Sequence, residues 1–369
     1  MKRRIAFVDY FPTHYRKRLY EELAQRTEAD FYFFADERER YWNREIPLAD
    51  YGDYRRIELR RFRPFDEAVM PGLAPRLRPS RYDAVIKSLN GKLMLPLVYG
   101  AAKASQLPFV LWTGMWAHPT TRTHRYTLRA TEAVYRGADA IVAYGDHVRR
   151  FVLETPGVAS EKIFVAGQAV DGARFRAVER SPNGNATVLF IGQFEERKGL
   201  PELLSAFASI DEPSARLELV GNGSMESQVR ALAARDERVS VVGYVPQEEL
   251  PGRLAAARCL VLPSITTAED KEPWGLVVNE AMHAGLPVVA SDGVGAAAGG
   301  LVSDGSNGFV VPERDPRALA HALRRLIDDV ELAEEMGARA RVDVEQFNYD
   351  RMAEAFVSAV EHAIAHKSK

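Results

Sequence analysis

Short apolar runs alternate with helical patterns along this chain, and that alternation restricts the fold more than any other feature. The first half contains the runs RIAFVDYF, DFYFFAD, YDAVIKS, LPFVLWTG and DAIVAYG. The alternation begins again with TVLFIG, ARLELVG, RVSVVGY, CLVLPS and PVVASD. Strands that alternate with helices in this way build parallel sheets covered by helices. We therefore expect an α/β protein with two doubly wound, Rossmann-like domains.

The division between these domains is expected near residues 171–186, where the stretch 181–185, SPNGN, has turn-forming residues and little to bury. We assign residues 1–175 to an N-terminal domain and residues 176–349 to a C-terminal domain. A length of 369 residues suits two domains of ordinary size. The last stretch, 350–369, has apolar residues at helical spacing and is predicted to be a helix.

Cysteine usage and hydropathy indicate a cytoplasmic protein. Cys259 is the single cysteine, so no intrachain disulfide can form, and a reducing compartment fits. Asp9 interrupts the apolar run after the basic start, which therefore reads as a first strand rather than a signal peptide. No apolar run approaches the roughly 18 residues that a membrane span needs.

Charge is distributed unevenly between the two halves. Residues 1–180 contain 31 basic and 22 acidic residues, whereas residues 181–369 contain 18 and 29. A basic half can bring a protein to an anionic membrane surface, so a peripheral contact with the inner face of the membrane is one expectation. The alternative is that these charges only solvate two domain surfaces. No nucleic-acid partner is expected.

The loops that follow the strands are where a doubly wound sheet binds ligands. The first such loop, after IAFVD, lacks GxGxxG, which argues against a dinucleotide-dependent dehydrogenase. The loop from Gln193 to Gly199 follows TVLFIG and contains Lys198. A lysine there can neutralise a diphosphate held at neighbouring helix ends. The alternative is a solvated loop lysine.

The stretch 271–291, KEPWGLVVNEAMHAGLPVVAS, places two glutamates eight positions apart. Pro273 predicts the first turn of a helix. Gly285 and Pro287 predict its end. Glu272 then lies just before the helix, and Glu280 lies about five residues into it, roughly 7 to 8 Å further along.

Backbone amides at the start of this predicted helix form an anion site between the two carboxylates. They belong to Gly275, Leu276 and Val277. The order carboxylate, anion site, carboxylate matches a nucleotide diphospho-sugar, which has sugar hydroxyls, a diphosphate and a ribose diol. The alternative is that Glu272 only complements the helix dipole and that Glu280 is a solvated helix residue.

Four motifs resemble the retaining glycosyltransferases of family four, which have the GT-B fold of two Rossmann-like domains facing across a cleft. The motifs are FIGQFEERKG (190–199), VVGYVPQEELP (241–251), the stretch 260–296 that contains EPWGL, and SDGSNGFVVP (303–312). They cover most of the C-terminal domain, whereas the N-terminal half matches only in general pattern.

The resemblance implies a role for several residues. Glu272 would contact the donor sugar, Glu280 the ribose hydroxyls and Lys198 the diphosphate. The backbone around Tyr244 and Val245 would contact the base. The resemblance also implies that the C-terminal helix packs back on the N-terminal domain, which would hold the acceptor.

Three places depart from the family pattern. Gln193 stands where the family commonly has an arginine, and Arg197 is a candidate donor-binding residue although adjacent side chains are expected to diverge. A histidine that many members place after the strand PFVLWTG is missing, and His118, a few residues later, is a candidate for the chemistry, with an ordinary loop histidine as the alternative. Residues 12–16, PTHYR, replace a glycine-rich loop and are expected to face the acceptor.

The sequence thus predicts a retaining glycosyltransferase that needs no metal ion and no cofactor. It would move a sugar from a nucleotide diphospho-sugar to a hydroxyl of a small molecule, a glycan or a lipid-linked sugar. Three alternatives remain: a nucleotide-sugar epimerase of the same architecture, a glycogen-phosphorylase-like enzyme, which would need a lysine bound to pyridoxal phosphate, and a sugar-nucleotide binding protein without activity.

Overall fold

The computed structural model describes residues 2–35, 52–64, 67–180 and 186–367, without the side chains of 123–126. The chain folds into two compact units. The first unit comprises Met1–Met115, Thr123–Gln168 and Tyr349–Lys369, and the second comprises Trp116–Arg122 and Ala169–Asn348. The division therefore falls after Gln168, before the expected boundary at 175. The expected turn at 181–185 lies outside the described residues.

The first unit builds a seven-stranded sheet from its described residues, and every strand pairing in it is parallel. The strand order is β3-β2-β1-β4-β5-β6-β7. The strands are β1 (Arg4–Asp9), β2 (Glu28–Phe33), β3 (Arg55–Arg56), β4 (Ala84–Ser88), β5 (Phe109–Thr113), β6 (Ala140–Ala143) and β7 (Ile163–Val165). The helices between them are α1 (Lys17–Arg26), α2 (Met94–Ala104), α3 (Arg122–Gly137) and α4 (Asp146–Leu153).

The second unit builds a six-stranded parallel sheet in the order β10-β9-β8-β11-β12-β13. Its strands are β8 (Ala186–Ile191), β9 (Ala215–Val220), β10 (Val239–Gly243), β11 (Cys259–Leu262), β12 (Val288–Ser291) and β13 (Gly308–Val311). Its helices are α5 (Ala173–Arg176), α6 (Leu200–Ala208), α7 (Glu226–Ala233), α8 (Leu250–Ala256), α9 (Leu276–His283), α10 (Gly295–Ala298), α11 (Pro316–Asp328) and α12 (Val330–Asp343).

The last helix, α13 (Tyr349–Lys367), belongs to the first unit. Phe356 on this helix is fully buried, 5.7 Å from the ring of Phe7 and 5.2 Å from that of Trp112. Phe7 and Trp112 lie on β1 and β5, so the helix covers the middle of the sheet. None of the described helices is long and apolar enough to cross a membrane.

Strand burial explains why these runs form a parallel sheet. All five residues of β4 and of β5 are buried, and so are all four residues of β11 and of β12. Strands covered by helices on both faces are nearly continuous apolar runs and do not alternate between apolar and polar residues. In the second unit the strand order reverses between β8 and β11, and such a reversal opens a crevice at the carboxyl ends of the strands. The loops that follow β8 and β11 therefore meet at that point.

Candidate functional site

The loop after β8 carries Lys198 and is tied to the loop after β11. A 3-10 turn, Glu196–Lys198, ends at Gly199, whose φ of +64° lies in the left-handed region. A Cβ at this position would lie 2.1 Å from the carbonyl oxygen of Pro263, so only glycine permits the approach. The amide of Ile265 donates to the carbonyl of Arg197 at 2.8 Å, which joins the two loops.

The loop after β11 carries Glu272, and the helix that follows begins later than expected. Helix α9 begins at Leu276, with Gly275 before it at a φ of +90°. The prediction that Pro273 starts the helix is wrong, because the backbone around it is bonded elsewhere. The carbonyls of Glu272 and Trp274 accept hydrogen bonds from the amides of residues 295 and 296, at 3.1 and 2.8 Å.

Two cations converge on the carboxylate of Glu272. Its Oε2 accepts a hydrogen bond from Lys198 Nζ, another from Arg197 Nη1 at 2.6 Å, and one from Ser264 Oγ at 3.4 Å. Glu272 is 7% exposed and Lys198 is 8% exposed. The expectation that the side chains of Arg197 and Lys198 diverge is wrong. Both long side chains reach the same carboxylate, since a buried charge needs paired groups around it.

Arg197 extends this charge cluster toward solvent. Its Nε lies 3.1 Å from Glu195 Oε2 and 3.7 Å from Asp270 Oδ2. Burial alone would raise the pKa of Glu272, but the charges of Lys198 and Arg197 outweigh it and hold that pKa below its usual value. Glu272 is therefore ionised at neutral pH, and the two cations are neutralised in part before any ligand binds.

Helix α9 places Glu280 on its fifth residue, as expected from the sequence. Burial raises the pKa of Glu280 to about 7, and the charge of Arg174 opposes that rise. Arg174 Nη2 lies 3.6 Å from Glu280 Oε1. The first amides of the helix, at Leu276 and Val277, are not used by the helix's own hydrogen bonds. Gly275, Leu276 and Val277, which were predicted to form an anion site, thus lie at the start of a helix.

Trp274 and Asn279 fix the segment between the two glutamates. Trp274 Nε1 donates to Asn279 Oδ1 at 2.7 Å, and both residues are buried. The Trp274 ring also packs 5.6 Å from Phe347. Sequence reasoning did not assign these two roles. The signal in the sequence was an indole two positions after Glu272, because a buried indole N–H needs an acceptor nearby.

Residues 244 and 245 follow β10, the edge strand of the same sheet. Tyr244 is 38% exposed and Val245 is 7% exposed. They lie at the carboxyl edge, but two strands away from β8 in the sheet order. Gln193 lies two positions after the end of β8 and is half-buried.

His118 lies in the segment Trp116–Arg122, which belongs to the second unit. Trp116 Nε1 donates to the carbonyl of Glu272 at 3.0 Å, and the amide of Thr120 donates to the carbonyl of Ala268 at 2.8 Å. Residues on either side of His118 are thus bonded to the loop that carries Glu272. Sequence reasoning placed this segment in the N-terminal domain, because its neighbours in the chain are β5 and α3.

The stretch 12–16, expected to face the acceptor, belongs to the first unit. Arg16 is buried, with its guanidinium carbon 4.6 Å from the ring centre of Trp112. Its Nη2 donates to the hydroxyl of Tyr144 at 3.2 Å. Arg16 therefore packs inside the first unit. Among the residues whose positions are described, no group of three or more His, Cys, Asp or Glu could hold a metal ion.

Comparisons with known proteins show what this chain is similar to. Residues 171–343 match the family of glycosyl transferases group 1. A D-inositol 3-phosphate glycosyltransferase of Streptomyces griseus is 37% identical over 207 residues, which are 51% of this chain and 42% of the relative. The amylovoran biosynthesis glycosyltransferase AmsK of Erwinia amylovora is 32% identical over 200 residues, 51% of this chain and 48% of AmsK. The chain thus spans about half the length of these two curated relatives.

The fold is shared over almost the whole chain. The Anabaena protein HepE, crystallised in complex with UDP and glucose, has a TM-score of 0.71 with this chain at 20% sequence identity. The similarity covers 97% of this chain and 99% of HepE. The GT-B fold predicted from the motifs is therefore confirmed, and the resemblance to glycosyltransferases is confirmed over residues 171–343. Residues 171–343 match the group 1 glycosyltransferase family, and the chain that contains them has the GT-B fold.

Proposed function

We propose that this protein is a retaining glycosyltransferase that moves a sugar from a nucleotide diphospho-sugar to an acceptor hydroxyl. The observation that carries the proposal is the buried cluster of Glu272, Lys198 and Arg197, formed where the loops of two central strands meet. It lies in a domain of a glycosyltransferase family. HepE was also crystallised with UDP-glucose, so UDP-sugars are the first donors to test.

Lys198 and Arg197 would stabilise the leaving group. When the bond between the sugar and the diphosphate breaks, negative charge grows on the diphosphate. Fixed cations and helix amides in a site that excludes water stabilise such charge strongly. The two side chains and the amides of Leu276 and Val277 supply both kinds of group. This arrangement would take the part that a metal ion plays in other transferases, so no metal and no cofactor is required.

Glu272 would exchange partners when the donor binds. In the structure its carboxylate neutralises Lys198 and Arg197. The diphosphate brings more negative charge to these cations and would displace the carboxylate from them. Glu272 would then accept hydrogen bonds from sugar hydroxyls, for which an ionised carboxylate is a strong acceptor. Its role is to orient the sugar, and the departing phosphate oxygen takes the proton of the acceptor hydroxyl.

The rest of the donor would bind along the carboxyl edge of the same sheet. Glu280 would accept the ribose hydroxyls, the backbone of Tyr244 and Val245 would contact the base, and Gln193 would lie near the diphosphate. His118, in a segment bonded to the Glu272 loop, is the candidate for contact with the reacting sugar. The first unit would hold the acceptor, a small molecule, a glycan or a lipid-linked sugar.

The test is an array of nucleotide sugars and acceptors incubated with the purified protein, with EDTA present and with mass spectrometry as the readout. We expect a glycosylated acceptor whose anomeric configuration, read by NMR, equals that of the donor. Lys198→Ala should lower kcat by about 100-fold or more, the usual cost of losing one transition-state donor. Arg230→Gln is the control, because Arg230 is an exposed cation of the same unit paired with Glu226 at 2.8 Å.

Four results would contradict the proposal. An inverted product would remove the retaining assignment, and activity lost in EDTA and restored by a metal ion would remove the metal independence. An epimerised donor with no acceptor consumed would identify an epimerase. Donor binding without turnover across the array would identify a binding protein.

A further inference from the structure

The short helix α5 of the second unit docks on α9, the helix that carries Glu280. Helix α5 follows Gly172, and a Cβ at this glycine would lie 2.5 Å from two atoms of the His283 ring. No side chain larger than that of glycine fits there without displacing the ring. The turn Ala173–Arg176 therefore lies directly against α9.

Two arginines of this turn contact two residues of α9 that are three positions apart. Arg174 Nη2 lies 3.6 Å from Glu280 Oε1, and its Nη1 donates to Gln247 Oε1 at 3.2 Å. Arg176 Nη1 donates to His283 Nδ1 and to Glu345 Oε1, each at 3.0 Å. Residues three apart on a helix share a face, so both arginines approach the same face of α9.

The two contacts differ in their electrostatic consequences. Burial raises the pKa of Glu280 to about 7, and Arg174 is the charged group that acts against this rise. A separate set of charged groups acts on His283, whose pKa burial lowers to about 4. These groups are Asp171, Arg176, Arg341 and Glu345. Within the described residues, the ionisation of Glu280 thus depends on one neighbouring cation.

We propose that Arg174 is a positioning residue for donor recognition, which holds the Glu280 carboxylate ionised and oriented to accept both ribose hydroxyls. The inference rests on the ribose role of Glu280 under the proposed function. A protonated carboxyl group has one O–H and a reduced capacity to accept, so it cannot take two hydroxyl donors as a carboxylate does. The hydrogen bond to Gln247 limits the positions that the Arg174 guanidinium can adopt.

Arg176 provides a matched control for a purely structural role. If Arg174 served only to dock the turn on α9, its loss would resemble the loss of Arg176, because both side chains join the same turn to the same helix. Of these two arginines, Arg174 is the one that lies beside Glu280, at 3.6 Å. A change in the pH dependence of donor binding therefore distinguishes positioning from docking.

The experiment measures the Kd of UDP-glucose, GDP-mannose and ADP-glucose by calorimetry between pH 6 and 9. The phosphodiesters of these donors do not titrate in this range. In the wild-type protein we expect binding to tighten as pH rises through about 7, because the carboxylate form binds. Loss of a cation a few ångströms away raises a carboxyl pKa by about one pH unit or more. Arg174→Gln should therefore move this midpoint upward by about one pH unit.

The same shift sets the expected size of the effect. At pH 7 it lowers the ionised fraction of Glu280 from about one half to about one tenth, which weakens binding about fivefold. The difference from wild type should shrink at pH 9. With a donor that carries 2′-deoxyribose, the difference in Kd between Arg174→Gln and the wild-type protein should be smaller, because one of the two ribose hydroxyls is missing. Arg176→Gln should leave the midpoint at its wild-type position.

Each contrary outcome has one meaning. An Arg174→Gln protein with the wild-type midpoint, or with the same change as Arg176→Gln, would overturn the positioning role while leaving the proposed function intact. A Glu280→Gln protein that binds every donor with wild-type affinity at all pH values would overturn the ribose assignment itself. Failure of all three donors to bind the wild-type protein would overturn the proposed function and this inference together.

Discussion

Replacing Glu272 by glutamine removes the negative charge from the buried cluster and leaves its shape almost unchanged. In the wild-type protein the carboxylate neutralises Lys198 and Arg197, and Lys198 is only 8% exposed. The amide of the variant can still accept a hydrogen bond, but it carries no charge. Two neighbouring cations then remain in a buried site without the carboxylate that offsets their repulsion.

The structure sets the size of the expected loss. Removing one partner of a buried ion pair costs about 3 to 5 kcal/mol, because the other charge stays buried and unpaired. Arg197 keeps its contacts with Glu195 and Asp270, so the lower end applies. We expect Glu272→Gln to lower the free energy of unfolding by about 3 kcal/mol. Glu195→Gln is the control, because Glu195 is 37% exposed in its pair and should cost less than about 1 kcal/mol.

The assay combines urea denaturation, followed by circular dichroism, with calorimetric titration of UDP. The diphosphate competes with the Glu272 carboxylate for the two cations in the wild-type protein, and this competition is absent in the variant. Glu272→Gln should therefore bind UDP at least as tightly as wild type and gain more stability from it, while sugar transfer is lost.

Three results would count against this reasoning. If Glu272→Gln and Glu195→Gln lose equal stability, the buried cluster does not contribute as its geometry implies. If Glu272→Gln binds UDP more weakly than the wild-type protein does, the carboxylate does not compete with the diphosphate. Full transfer activity in Glu272→Gln would remove the central assignment of the proposed function.

Three further predictions concern helix α9. Asn279→Ala leaves the buried indole N–H of Trp274 without its 2.7 Å acceptor and should cost about 2 kcal/mol in urea denaturation, whereas the exposed Gln228→Ala should stay within about 0.5 kcal/mol. His283 has a folded pKa of about 4 against 6.5 in the unfolded chain, so the unfolded chain binds more protons between these values and stability should fall by about 3 kcal/mol as pH drops from 6.5 to 4. His283→Asn should flatten that slope, and an unchanged slope would contradict it. Glu280→Ala should raise the Kd of UDP more than it lowers the rate at saturating donor, and an unchanged Kd would count against the ribose role.

Several features of the site could be predicted because they depend on local patterns. Lys198 lies in a strand-to-helix loop whose strand is recognisable as an apolar run, and parallel sheets bring such loops to one edge. Glu280 is the fifth residue of its helix. A position about five residues into a helix could be predicted, because the helical spacing and the following Gly285 are visible in the sequence. The helix start was missed because residues 272 and 274 bond to the turn at 295 and 296, which no local pattern shows.

The sequence by itself determined which segments become strands and helices, and which loops carry charged side chains. These properties follow from hydrophobic periodicity and turn chemistry within a few residues. Only the tertiary structure decided which distant residues meet. Arg197, 75 positions away in the chain, bonds the carboxylate of Glu272, and Trp116, 156 positions away, bonds its backbone carbonyl. Arg174 likewise meets Glu280 because α5 packs on α9. Such pairs depend on the packing of elements that are far apart in the sequence. Spacing along the chain does not encode which of these elements pack together.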